Sequence, residues 1–560
     1  MGKTKLCISY RLLKAVAMGM LLLPVLIFML FYVKLLIGIP VALAMIAVFI
    51  LSIKDGANDK RYIEISYVGL ICLFLFCAVW CFLGGQGGYF FQTSDWNERN
   101  AIFRDLLTRG WPVYYPVTDT MLTYYIGHWL PAAAVGRALF RITGNLPVVW
   151  EISNFLLFLW TTVCVFIVLL LLLHTVQAKG KKAMLLSIAV FVGFSGLDII
   201  GCIIKQWLIK DFFVIMHLEW WVGELQFSAI TTCLFWVFNQ AVPAWLATFL
   251  FLNEKNNKNY AFLIVCAFLS APLPCVGLVI YMFADIIIKA VKAYEKRKLK
   301  DYIIKSFSVS NVVSVLLPFP ILAAYFLSNS ALNNSNAVDT ANSFPWKAVV
   351  LAIITVALFV YGIYVMYFSK KTASAIKKLP VLPVATVFAA ATLSLYLHPD
   401  KSKALIAFLT LEVGVYLAAI WIDNLFEPLF YITSSIFVIA PAVKIGISAD
   451  FCMRASIPAV IVLVVMCIKF LLSEKDYDDV RLKKLRRFCK IVVIICIIIG
   501  LFTPAMELFR GVYNCIEQGQ LSVPCDKIIT LNKYHFSGDV YGNFVSTVYK
   551  NSLFFRFFAA

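Results

Sequence analysis

Long apolar runs separated by short polar interruptions fill most of the 560-residue chain. Runs of about 20 residues match the hydrocarbon thickness of a bilayer. Backbone in hydrocarbon must satisfy its own polar groups, so such runs are expected to be helices. The pattern predicts helices near 14–32, 35–53, 63–83, 150–174, 183–204, 226–252, 260–271, 273–291, 303–327, 347–368, 379–397, 403–422, 430–447, 455–472 and 489–503. The expected fold class is all-α, a polytopic transmembrane bundle of about 13–15 membrane helices. The first apolar run, Ala15 to Ile53, is long enough for two spans. It has no small-residue cleavage site after a short core, so no secretory signal is expected.

Composition agrees with this pattern. Apolar residues are 62% of the chain and charged residues 14%, whereas soluble domains sit near half and a quarter. The net charge of +19 does not point to nucleic acid. Its basic residues lie in short loops beside apolar runs, as the positive-inside rule describes. The densest group is Arg481, Lys483, Lys484, Arg486, Arg487 and Lys490. The fifteen cysteines show no metal-ligand spacing. Cys515 and Cys525 fall in a polar C-terminal stretch, where an extracytoplasmic setting would allow them to pair.

Charge also sets an expected topology. Lys3, Lys5, Arg11 and Lys14 place the N-terminus inside, together with Lys60–Arg61, Lys179–Lys182, Lys289–Lys300, Lys370–Lys378 and Arg481–Lys490. This works if 84–149 is one external segment and 260–291 is a hairpin that dips in and back. Pro272 and Pro274 supply the break, since each lacks a donor and crowds the preceding turn. Both arms look short for full spans. The chain then divides into an N-terminal hairpin (1–62), a main transmembrane domain (63–503) and an extracytoplasmic tail (504–560).

The external segment concentrates the polar chemistry. A helix from Asp95 to Thr108 puts Asp95, Glu98 and Asp105 on one arc of about 80° and Trp96, Phe103 and Leu107 on another. An amphipathic helix of this kind suits the membrane surface, with its acidic face free. Its carboxylates are candidates for a general base or for one divalent cation. Asp95-x-x-Glu98 is equally a capping-box arrangement, and Asp95–Arg99 a helix-stabilising i,i+4 pair. His128, Arg137 and Arg141 follow among aromatics. A further polar group holds Lys205, Gln206, Lys210, Asp211, His217, Glu219 and Glu224 with Trp207, Trp220 and Trp221. It reads either as an interfacial loop or as a mouth binding a lipid-linked phosphate through Lys205, Lys210 or His217. Asn239 and Gln240 lie inside a span and require partners or a wet cavity. Asp450 and Arg454 begin a late helix, as a cap pair or with Arg454 as a phosphate fork.

The residues Asp95–Trp96, Arg99–Asn100, Asp105–Leu106, Trp111–Pro112, Trp129–Leu130–Pro131 and Met453–Arg454–Ala455–Ser456–Ile457–Pro458 resemble features of the GT-C superfamily of integral membrane glycosyltransferases. They also resemble bacterial polytopic membrane proteins with an Asp-Trp-rich first external loop. The resemblance implies a sugar donor on polyprenyl phosphate, a glycan or lipid-linked acceptor, and an acidic base in the first large external loop. Carried over, the base is Asp95, with Glu98 and Asp105 as rivals. Arg99, His128, Arg137, Lys205, His217, Glu219, Asn239, Gln240 and Arg454 become candidate substrate contacts. The expected activity is inverting transfer at the extracytoplasmic face of the cell membrane, in cell-envelope glycan synthesis or modification. A polysaccharide polymerase or ligase is the alternative within that chemistry. A transporter or flippase is the alternative outside it, opposed by the lack of an internal repeat and by polar residues gathered outside the spans.

Overall fold

The computed structural model describes residues 5–55, 61–209, 217–223, 225–331, 402–443, 450–475, 477, 479–519, 521, 525–534 and 538–560. The helices expected near 347–368 and 379–397 lie outside the described residues. Strand β1 (Lys5–Ser9) leads into α1 (Tyr10–Phe31) and α2 (Leu35–Asp55); β2 (Tyr62–Ser66) leads into α3 (Tyr67–Leu83). The external segment contains α4 (Trp96–Thr108), β3 (Tyr114–Tyr115), β4 (Thr120–Leu122) and α5 (Leu130–Thr143). Then come α6 (Leu146–Thr175), α7 (Gly180–Gly193), α8 (Asp198–Ile209), α9 (Ile230–Asn253), α10 (Tyr260–Phe268), α11 (Pro272–Glu295), α12 (Leu299–Ser306), α13 (Val309–Leu316) and α14 (Pro318–Leu327). Beyond residue 401 lie α15 (Ser402–Leu409), a π-helical turn (Thr410–Gly414), α16 (Val415–Asn424), α17 (Pro428–Ile439), α18 (Asp450–Ala455), α19 (Ile457–Leu472), α20 (Val480–Gly500), α21 (Phe502–Gln518) and β5 (Val545–Ser546).

Among the described residues nine helical stretches are long and apolar enough to cross a membrane. The chain is a multi-pass helical membrane protein with a few short strands. Strands β1 and β2 pair antiparallel, Lys5 opposite Ser66 and Ser9 opposite Tyr62. The serine ending each strand then caps the next helix: Ser9 Oγ accepts from Leu12 N and Ser66 Oγ from Gly69 N.

The bundle has two distinct ends. At the basal end, Lys14 pairs with Glu254 at 2.5 Å in a buried site. Arg61 reaches the Asn253 carbonyl at 2.8 Å, and Arg486 binds Asp423 at 2.8 Å. Lys14, Arg61 and Arg486 thus find partners at this end, while Lys34 sits at the opposite end. That opposite end carries a cap. In it β4 pairs with both β3 and β5, so the external segment and the tail share one small sheet. The tail then returns to the α1–α2 turn, where Lys34 N donates to Phe558 O and Ala560 N to Tyr32 O.

Several helices differ from the apolar pattern. The helix expected over 183–204 is broken between α7 and α8. The short first arm of the expected hairpin is seen in α10, with nine residues. Its second arm, α11, has 24 residues and is a full-length candidate span, which corrects the expectation of two short arms. Ser270, at the tip, touches the cap beneath Gly127: a Cβ on Gly127 would lie 2.2 Å from Ser270 Oγ. The last span does not stop before Pro504. Pro504 falls in the first turn of α21, where its missing N–H is no loss. Cys515 and Cys525 are both free thiols.

Candidate functional site

Helix α4 is fixed by its first residue. Helix α9 breaks at Val237, whose φ of −134° and ψ of 34° are not helical. The break frees carbonyls: Gln86 Nε2 donates to Leu234 O at 3.2 Å and Trp96 Nε1 to Phe235 O at 3.0 Å. The Trp96 ring also stacks on Phe238, with centroids 4.7 Å apart. Gln92 and Asn100 tie the preceding glycine turn to α4, through Gln92 Nε2 to Gly85 O and Asn100 Nδ2 to Gln92 Oε1.

With α4 held there, Asp95 does not cap it. Its side chain makes no cap hydrogen bond; it pairs instead with Arg99 Nη2 at 3.0 Å and remains 46% exposed. Arg99 is buried, and its Nη1 has no hydrogen-bond partner. Glu98 is partly buried beside them. Burial raises its pKa, with Asp95 adding to the rise and Arg99 opposing it.

The late helix α18 comes to the same place. Arg454 Nη1 donates to the Tyr125 hydroxyl at 2.7 Å, and its Nη2 pairs with Asp450 at 3.1 Å. Its Nε is buried without a partner. Burial opposes this guanidinium's charge, but Asp450, Tyr125, Tyr124 and Asp95 together outweigh it. Arg99 in turn acts on Tyr124, which Arg454 and Asp450 also reach. Tyr325 braces this corner, its hydroxyl bonding both the N–H and the carbonyl of Tyr124 at 3.0 Å. Two distant stretches of sequence thus join in one corner: partly exposed carboxylates outside, and buried guanidinium groups with unused N–H donors within.

Other expected residues have different surroundings. The expectation of a surface helix with a free acidic face is corrected at Asp105, which is fully buried. Its Oδ2 accepts from Tyr115, Thr530 Oγ1 and Leu531 N at 2.9–3.0 Å. The tail therefore covers that side of α4. His128 is buried, bonded to Thr161 at 3.0 Å, and burial lowers its pKa to about 3, so the ring is neutral. Arg137 lies over the Trp111 ring at 4.9 Å. Asn239 and Gln240 are buried in α9, where Asn239 Nδ2 and Gln240 Oε1 have no partner. Lys205 stands on α8, part-buried; Lys210, Asp211 and Glu224 lie outside the described residues.

His217 and Glu219 belong to a buried acidic network. His217 Nδ1 meets Glu507 Oε1 at 2.7 Å, and its Nε2 lies 3.9 Å from Glu219. Burial pulls the imidazole pKa down, but the Glu507 hydrogen bond and the Glu219 charge overrule it and the net shift is upward. Burial raises Glu219 to about 7, against the lowering effect of His217. His217 is thus held between two carboxylates rather than presented to open solvent. Glu507 also accepts from Trp236 Nε1 at 2.7 Å and pairs with Arg510. Nothing in the sequence pattern singled out Asp198, Glu412, Glu507 or Arg510. Asp198 and Glu412 are single charges within apolar runs, and Glu507 and Arg510 read as an ordinary i,i+3 helix pair.

No family model, curated protein or solved structure matches the chain. The GT-C expectation therefore rests on the quoted residues alone. Among the described residues no three or more His, Cys, Asp or Glu side chains gather as a metal-holding group. A cleft of about 1650 Å³ opens between α3 and α7. It runs from Arg61 and Lys179 at the basal end to Leu83, Thr231 and Pro504 toward the cap. Of helices α9 to α11, only Thr231 lines this cleft.

Proposed function

We propose that the protein is a glycosyltransferase that takes a sugar from a polyprenyl-phosphate donor, working at the extracytoplasmic face beneath the cap. The observation that supports this reading best is the Asp95–Arg99 and Asp450–Arg454 corner. A carboxylate that makes no cap hydrogen bond, and has access to solvent beside a buried guanidinium, suits deprotonation of an acceptor hydroxyl. Buried guanidinium groups with unused donors suit the charge that develops on a departing phosphate. The donor's tail would lie in the lateral cleft, whose cap end at Leu83 adjoins Gly84, itself packed against Phe235.

The test is transfer of labelled sugar from a polyprenyl-phosphate donor by the full chain in lipid nanodiscs. Asp95→Asn is expected to lower turnover by at least the ~10²-fold typical of losing a general base, with unchanged thermal stability. Arg454→Lys, which loses the planar fork, is expected to weaken donor use while leaving the protein folded. Wild-type turnover in Asp95→Asn would overturn the assignment of the base. Proton- or ion-driven uptake without transfer would overturn the whole reading.

A further inference from the structure

The corner described above makes no use of a second group of buried acids. Asp198 begins α8 just after the chain breaks out of α7. Its Oδ2 accepts from Ser195 Oγ at 2.6 Å and Thr503 Oγ1 at 2.7 Å. Facing it is Glu412, in the π-helical turn between α15 and α16. That turn leaves Leu411 O free to accept from Leu197 N at 3.1 Å, which docks the α7–α8 linker against it. Glu412 Oε1 accepts from Trp221 Nε1 at 2.8 Å. Its Oε2 is buried and receives no donor. The space around it is closed, since a Cβ on Gly196 would lie 1.9 Å from Oε2.

Asp198 and Glu412 are 1% and 2% exposed, and both lie in candidate membrane spans. Their segments are packed together: Leu197 N donates to Leu411 O, and Gly196, which lies against Glu412 Oε2, adjoins Ser195, which donates to Asp198. Among the described residues neither has an ion-pair partner. The charged and titratable groups around them are Cys202 and Lys205 on α8, Glu219 on the 217–222 turn, Tyr416 on α16 and Cys452 on α18, with His217, Glu507 and Arg510 next to Glu219. Arg510 is committed to Glu507, and His217 lies between Glu507 and Glu219. A buried carboxylate oxygen with neither a donor nor a counter-charge, such as Glu412 Oε2, calls for a proton or a cation. Intramembrane acids of this kind mark ion or proton pathways.

We propose that Asp198 and Glu412 form a proton-binding site within the membrane part of the protein. One proton is held between the two carboxyl groups, and it exchanges with solvent by way of Glu219 and the His217–Glu507 pair. On uptake, one carboxylate oxygen forms an O–H bond and donates to the other carboxylate. On release, that O–H bond breaks and the proton passes to the relay or to water. The site has no part in the transferase reading and stands or falls apart from it.

The test is infrared spectroscopy of the full chain in nanodiscs, read at the C=O stretch of protonated carboxylic acid. A band that shifts in D₂O is expected at neutral pH in wild type. It should be lost in Glu412→Gln, an isosteric change whose amide can still donate to Asp198, and also in Asp198→Asn. Glu219→Gln should keep the band but slow its exchange in D₂O. Trp221 fluorescence and thermal melting verify that the variants are folded. A wild type without the band overturns the proposal, as does a band that persists in both Asp198→Asn and Glu412→Gln. Loss of the band when sodium replaces potassium at constant pH makes this a sodium site instead, and equally overturns it.

Discussion

Asp95 and Asp105 share one arc of α4 but meet opposite fates. Helical phasing fixes their relative directions, yet it does not say what covers them. Asp95 stays open to solvent, whereas the tail lies over Asp105 and supplies Thr530 Oγ1 and Leu531 N as donors. Burial raises the Asp105 pKa, opposed by those bonds and by Arg109. Removing the carboxylate leaves two donors, the Tyr115 hydroxyl and Leu531 N–H, unsatisfied, each at a cost of about 1–3 kcal/mol, while Thr530 Oγ1 keeps Asn532 Oδ1 as an acceptor. Asp105→Ala is therefore expected to destabilise the cap by several kcal/mol and to release residues 525–534. Faster amide exchange in that segment, with α9 unaffected, is the measurement. Asp105→Asn, which keeps one acceptor oxygen, should be milder.

At the scale of elements, the apolar runs revealed most of the helices, because length and hydropathy alone decide what spans a bilayer. Helices α1, α2, α6 and α9 begin and end within a few residues of their expected bounds. The proline pair at 272 and 274 likewise announced the turn into α11. What stayed hidden are breaks set by tertiary contact. The break in α9 at Val237 is supported by Trp96 and Gln86, which lie in another segment. The π-turn at Glu412 is matched to Leu197 and Trp221. The approach of α11 to α18 was also unreadable: a Cβ on Gly277 would lie 2.0 Å from Ala455 O. That contact seats the helix carrying Arg454. Gly277→Val is expected to push α18 away, with an overpacking cost of about 1–3 kcal/mol. Activity should fall with no change in any charged group, and Gly277→Ala should show a smaller effect in the same direction. An unaltered melting temperature for Gly277→Val would refute this seating.

The whole molecule is closed at one end by segments that are far apart in sequence. The 84–149 segment, residues 328–331 and the C-terminal tail form one cap. Asn329 Nδ2 donates to Thr123 O and Asn543 O, and Ser330 Oγ meets Thr547 Oγ1 at 2.9 Å. An apolar pattern cannot foretell this, because cap residues are polar and pair by long-range register. The outermost fastener is Asp119, which accepts from Lys550 Nζ at 2.5 Å and from the hydroxyls of Tyr549 and Tyr114. The Lys550 hydrogen bond leads in lowering its pKa from 3.8 to about 2, with both tyrosines adding. A carboxyl whose folded pKa is depressed contributes stability above its unfolded pKa and loses it as pH falls through the folded one. The fastening is thus complete above about pH 4 and lost by about pH 2. Asp119→Asn should melt earlier than wild type at pH 5 to 7, since the amide cannot pair with Lys550. The gap between the two melting temperatures should narrow below about pH 4 and close near pH 2. Lys550→Met should behave in the same way, because it removes the partner that depresses the carboxyl. A gap that stays constant across this range would show that Asp119 does not hold the tail through its charge.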